Sequence, residues 1–113
     1  MTRLFVMLPE FEKQWNKMGL TDDDLRRLQY ELLADPQKGD VMQGTGGLRK
    51  LRFAFEHRGK SGSSRVVYVD FAFYEKIFLI TAYPKKEKDN LSQAERNNIK
   101  KLIGMLEQTL KGE

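Results

Sequence analysis

Residues 48–56 read Leu-Arg-Lys-Leu-Arg-Phe-Ala-Phe-Glu. Taken with a period of two, Leu51, Phe53 and Phe55 fall on one side and Lys50, Arg52 and Ala54 on the other. That is the pattern of a strand with one face in a core. The apolar side is expected to face helices, and the Lys50/Arg52 side to face away from them.

Moving toward the C-terminus, residues 57–64 (HRGKSGSS) read as a basic loop. Two β-prone runs follow, Arg65–Tyr74 and Lys76–Tyr83, with Glu75 marking a tight turn between them. Both runs are apolar on both faces for much of their length, which predicts central strands. Pro84 closes the second, because proline cannot donate to a ladder. One phase question stays open. On strict alternation Arg65 shares a face with Val67, Val69 and Phe71, which look like core residues. Either the strand is buried on both faces or a bulge resets its phase.

Moving toward the N-terminus, Gln37–Gly47 is a glycine-rich loop with Thr45. Its Gly44-Thr45-Gly46-Gly47 lacks the lysine and helix start of a phosphate loop. Before it, Leu25, Leu28, Leu32 and Leu33 form one helical face. Thr21 is its N-cap, Asp22, Asp23 and Asp24 occupy its positive first turn, and Asp35-Pro36 is its stop. Phe11, Trp15 and Met18 predict an earlier helix ended by Gly19, and Arg3–Leu8 a first strand. At the other end, Ser92 and Glu95 make a capping box. Ile99, Leu102, Ile103, Leu106 and Leu110 stripe the helix behind it. The order is β-α-α-β-β-β-α. It predicts one α+β domain over residues 1–113, with the helices packed on one face of a mainly antiparallel four-stranded sheet.

Composition narrows the chemistry. The chain has no cysteine and one histidine, so a disulfide framework, a thiolate nucleophile and a Cys- or His-rich metal site are excluded. No apolar run approaches the roughly 18 residues that span a bilayer, and no signal peptide is read at the N-terminus. A cytoplasmic protein without membrane contact is expected. The formal charge is +4, and residues 49–65 hold six basic side chains against Glu56 alone. Such a concentrated field attracts a polyanion; a solvated basic loop is the alternative on charge alone.

If the three long strands are neighbours, Lys50, Arg52, Arg65, Lys85 and Lys86 converge near one end of the sheet. RNA cleavage by 2′-hydroxyl attack needs a base for the hydroxyl proton. It also needs cations around the phosphorane and an acid for the leaving 5′ oxygen. A lysine crowded by other cations gives up its proton more readily, and arginine suits bidentate phosphate contact. The same residues also fit a surface that only binds RNA or an acidic partner. Tyr83, beside the lysine pair, fits either a base-stacking role or the rim of a core.

The run GDVMQGTGGLRKLRFAFEHRGKSGSSRVVYV, residues 39–69, resembles the central segment of RelE/HigB-type toxins, and TAYPKKEKDNLSQAE, residues 81–95, resembles that family's closing strand, basic pair and last helix. The likeness spans roughly residues 4–107. It implies a toxin of a toxin–antitoxin pair that cuts messenger RNA on the ribosome without a metal or other cofactor. By position it implies that Lys50, Arg52, Arg65 and Lys86 form the catalytic set. Arg49, Arg58, Lys60, Tyr83 and Lys85 are expected to touch RNA. It also implies a cognate antitoxin from an adjacent gene, with a helix-turn-helix, through which alone operator DNA is met. The chain departs from several members at Asp89-Asn90-Leu91-Ser92, where they place a Tyr or His. Two alternatives stand beside the enzyme reading: a non-catalytic RNA- or partner-binding module, and a toxin fold kept for autoregulation.

Overall fold

The computed structural model describes residues 2–57, 60–85 and 91–112, with the backbone alone at positions 57, 60 and 61. Its elements in chain order are β1 (Leu4–Met7), α1 (Pro9–Lys17), α2 (Asp22–Ala34), β2 (Asp40–Val41), β3 (Leu48–His57), β4 (Lys60–Phe71), β5 (Lys76–Pro84) and α3 (Gln93–Lys111). The strands form one sheet in the order β1-β5-β4-β3-β2. The β1–β5 pair is parallel, and every other pair is antiparallel.

Local chemistry accounts for the helices. Pro9 opens α1, where its missing N–H costs nothing. Thr21 caps α2, its side chain accepting from the Asp24 N–H while the Asp24 carboxylate accepts from the Thr21 N–H. Ser92 and Glu95 exchange the same two bonds at the start of α3. Phe11 and Trp15 are buried and stacked, with ring centroids 5.2 Å apart, and Trp15 continues onto Phe53 at 5.6 Å.

Two cores result, one on each side of the sheet. The first joins Phe11, Trp15, Leu20, Leu28 and Leu32 of the α1–α2 region to Leu51, Phe53, Val66, Tyr68, Ile77, Leu79 and Ala82. The second joins Leu48, Val67, Val69, Phe71, Phe78, Ile80 and Tyr83 to Leu91, Ile103 and Leu110, with Ile99, Leu102 and Leu106 packed against it. The helices therefore lie on both faces, not on one as the sequence suggested. The apolar content of both sides of β4 and β5 requires it: Val66 and Val67 are both fully buried, and each needs its own cover. The open phase of Arg65 is settled the same way. The β3–β4 register runs unbroken from Leu48↔Val69 to His57↔Lys60, so Arg65 does share its face with Val67 and Val69.

The sheet has five strands, not four. The extra pair, Asp40↔Lys50 and Val41↔Arg49, lies inside the segment read as a loop. The Gly-Thr-Gly-Gly run is the turn of this hairpin. Buried Thr45 donates to the Met42 carbonyl (2.6 Å) and accepts from the Leu48 N–H (3.1 Å), while Gly44, Gly46 and Gly47 take positive φ. At its other end, β3 meets a β4 that begins at Lys60, so much of the expected basic loop is paired strand. The turn after β4 is longer than a tight hairpin. A 3-10 turn over Ala72–Tyr74 precedes Glu75, which sits in the left-handed region at φ 54°.

Candidate nucleic-acid interface

The β-ladders bring the cationic residues together. Arg52 pairs with Arg65 in register, and Arg65 pairs with Tyr83, which makes one row across β3, β4 and β5. The adjacent row is Lys50, Val67 and Thr81. Neighbouring strands are about 4.8 Å apart, so Lys50, Arg52 and Arg65 share one small area of sheet. Arg52 is exposed, while Lys50 and Arg65 are half-buried. The second core reaches Val67 and Tyr83, the neighbours of Arg65, whose Nη1 is buried while Arg52 stands in the open. Lys85 follows the end of β5 and is exposed.

A bulge places Tyr83 in that row. Val67 pairs with Thr81 but Tyr68 pairs with Leu79, so Ile80 is an extra residue in β5. Strict alternation from Ile77 would send residue 83 toward the first core. With the bulge, Ile77, Leu79 and Ala82 face that core, and Ile80 and Tyr83 face the second. Tyr83 is only 5% exposed. Of the two roles its position allowed, the structure shows the rim of a core rather than an open stacking face.

Arg49 does not join the cluster. It is one residue out of phase with Lys50 and lies across from Tyr68. Its Nη1 donates to the carbonyls of Gln37 (3.1 Å) and Gly39 (2.8 Å), clamping the chain that leaves α2. The Tyr68 hydroxyl completes this clamp. It accepts from the Gly39 N–H and donates to the Pro36 carbonyl, each at 2.9 Å. A side chain at position 39 would meet the Tyr68 ring at 2.9 Å, so only glycine fits there. Burial raises the Tyr68 pKa, against the opposing pull of the Gly39 N–H.

The side chain of Lys60 is not among those described. Arg58 and Lys86 lie outside the described residues. Two residues that the sequence reading passed over stand beside Arg52. Arg27 and Glu56, with Asp24, Ala54, Phe55, Gly62 and Ser63, line a shallow cleft of about 710 Å³ that Arg52 borders. Glu56 was legible as a member of the Lys50/Arg52 face by its period-two spacing. Arg27, on a helix distant in sequence, carried no such signal. Among the described residues no three His, Asp or Glu side chains gather as metal ligands, and no helix is long and apolar enough to cross a membrane.

A family model described as the RelE toxin of the RelE/RelB toxin–antitoxin system matches residues 3–112. The chain belongs to the RelE toxin family. Among solved structures it is similar to a double-mutant form of the E. coli toxin RelE in the free state. The TM-score is 0.55 at 18% identity, covering 78% of this chain and 88% of the other. That likeness is one of fold. The RelE family assignment accounts for the α+β architecture and for a toxin's place in a toxin–antitoxin system.

Proposed function

We propose that this RelE-family protein is an endoribonuclease that cuts messenger RNA on the ribosome in the cytoplasm and is neutralised by a cognate antitoxin. The observation that supports it most directly is the in-register Arg52–Arg65 pairing with Lys50 alongside, Arg52 exposed and the other two half-buried. Two guanidiniums and an ammonium in so small an area match a phosphorane whose charge grows during the reaction. In this reading Arg65 stabilises the transition state from the central strand. Lys50 and Arg52 orient and activate the attacking 2′-hydroxyl. Lys86 holds the backbone or helps the leaving 5′ oxygen, and Lys85, Arg58 and Lys60 grip RNA. No metal takes part in this reading: the substrate supplies the nucleophile, and the lysine and arginine side chains supply the positive charge that a metal would otherwise bring to the phosphorane.

A second reading, a basic module that binds RNA without cutting it, is favoured by one observation. The Tyr nearest the cations is buried and offers no open ring. Induction in a bacterium separates the two. The enzyme reading expects arrested growth and cleaved transcripts, relieved by Arg65→Ala at equal expression. Unrelieved toxicity in Arg65→Ala, or arrest without cleavage, overturns it.

A further inference from the structure

We propose that Glu56 reads the nucleobase beside the scissile phosphate and that its preferred base is guanine; this deepens the ribonuclease reading and rests on it. Glu56 is the one acidic residue within the basic stretch 49–65. It lies on the Lys50/Arg52 face of β3, is exposed, and is the next charged position beyond Arg52. A carboxylate there repels phosphate, so a backbone contact does not explain it.

The cleft beside Arg52 has the shape and chemistry for a base. Its other charges are already engaged. The Asp24 carboxylate accepts from the Thr21 N–H (2.8 Å) and hydroxyl (3.0 Å) and pairs with Arg27 (3.4 Å). Arg27 donates to the Ala54 carbonyl (2.9 Å) and lies 4.5 Å over the Phe53 ring. Arg52 and Glu56 are held by no such contact among the described residues. Between them the floor consists of two small cross-strand partners, Ala54 and Ser63. Four residues of strand span about 13 Å. That distance, shortened by two long side chains reaching inward, takes one nucleotide, with its phosphate at Arg52 and Arg65 and its base over Ala54 and Ser63.

Single-stranded RNA is read on the Watson–Crick edges of splayed bases. A carboxylate only accepts hydrogen bonds. Guanine alone offers it two adjacent donors, N1–H and the N2 amino group. Adenine and cytosine offer an amino group next to an acceptor nitrogen, and uracil one N–H between two carbonyls.

The test compares wild type, Glu56→Gln and Glu56→Asp on ribosomes programmed with messages that differ only in the nucleotides flanking the cut. The 5′ ends of the products are mapped. Wild type should favour guanine over uracil at one flanking position by roughly tenfold or more, the usual worth of a bidentate base contact. Glu56→Gln should still cut, with that ratio flattened toward one, and Glu56→Asp should restore part of it. An unchanged ratio in Glu56→Gln overturns the proposal, as does an equal loss on all four bases. If wild type cuts no message and matches Arg65→Ala, the ribonuclease reading itself falls and takes this assignment with it.

Discussion

Arg52 and Arg65 face each other in register across the β3–β4 ladder, two like charges on directly opposed residues. Directly opposed like charges destabilise a sheet. The arrangement is explicable if an anion lies between them. Arg52→Thr should therefore stabilise the free protein, raising the thermal midpoint by about 1–2 °C, while cleavage falls at least tenfold. Calorimetry and single-turnover cleavage check the two halves. A lower midpoint would mean that the pair is not under repulsion.

Arg49 separates a structural role from an RNA-binding one. Its guanidinium donates to two main-chain carbonyls on the side of β3 away from Lys50. Arg49→Ala should cost about 1–2 kcal/mol of stability in a urea titration, at the lower end for charge-assisted bonds because the group is half-buried. Cleavage per folded molecule should stay within twofold of wild type. A tenfold loss in fully folded protein would return Arg49 to the RNA interface.

Tyr68 predicts an alkaline limit to stability. Burial raises its pKa in the folded state above the ordinary tyrosine value near 10. The unfolded chain therefore loses this proton first as pH rises. The stability held by neutral Tyr68 is complete below pH 10 and is lost as pH climbs from there toward the folded-state pKa. Tyr68→Phe should flatten that decline. The same change should lower stability at neutral pH by about 2 kcal/mol, because the Gly39 N–H and the Pro36 carbonyl lose their buried partner. Chemical denaturation at pH 7, 9 and 11 reads both effects. An alkaline decline equally steep in Tyr68→Phe would assign it to other groups.

The proposed chemistry also depends on the substrate. If the attacking group is the 2′-hydroxyl beside the cut, products should end in a 2′,3′-cyclic phosphate and a free 5′-hydroxyl. Replacing that single hydroxyl with hydrogen in a message on programmed ribosomes should abolish cleavage. On a short model RNA, where no ribosome needs magnesium, cutting should persist in excess EDTA. Normal cleavage of the 2′-deoxy message would instead favour hydrolysis by an activated water.

Much of this protein was legible one segment at a time. The alternation of Leu51, Phe53 and Phe55 against Lys50 and Arg52, the Thr21 and Ser92 caps, and the stop at Asp35-Pro36 are local signals. They act over a few residues, so the sequence displays them directly. The strand pattern grouped Arg65 with Lys50 and Arg52, the resemblance around residues 39–69 gave it a role, and the β3–β4 register sets it opposite Arg52. Other features depend on contacts between residues far apart in the chain. Val66 and Val67 demand cover on both faces, yet nothing in the α3 stripe says which face it takes; packing decided that. Asp40 and Val41 become a strand only because the edge of β3 offers hydrogen bonds. Tyr83 turns toward the second core only because an extra residue, Ile80, slips the β4–β5 register. Arg49 looked equivalent to its neighbours in a run of cations, and only the fold brought the main-chain carbonyls of Gln37 and Gly39 alongside to hold its guanidinium on the other side of β3 from Lys50.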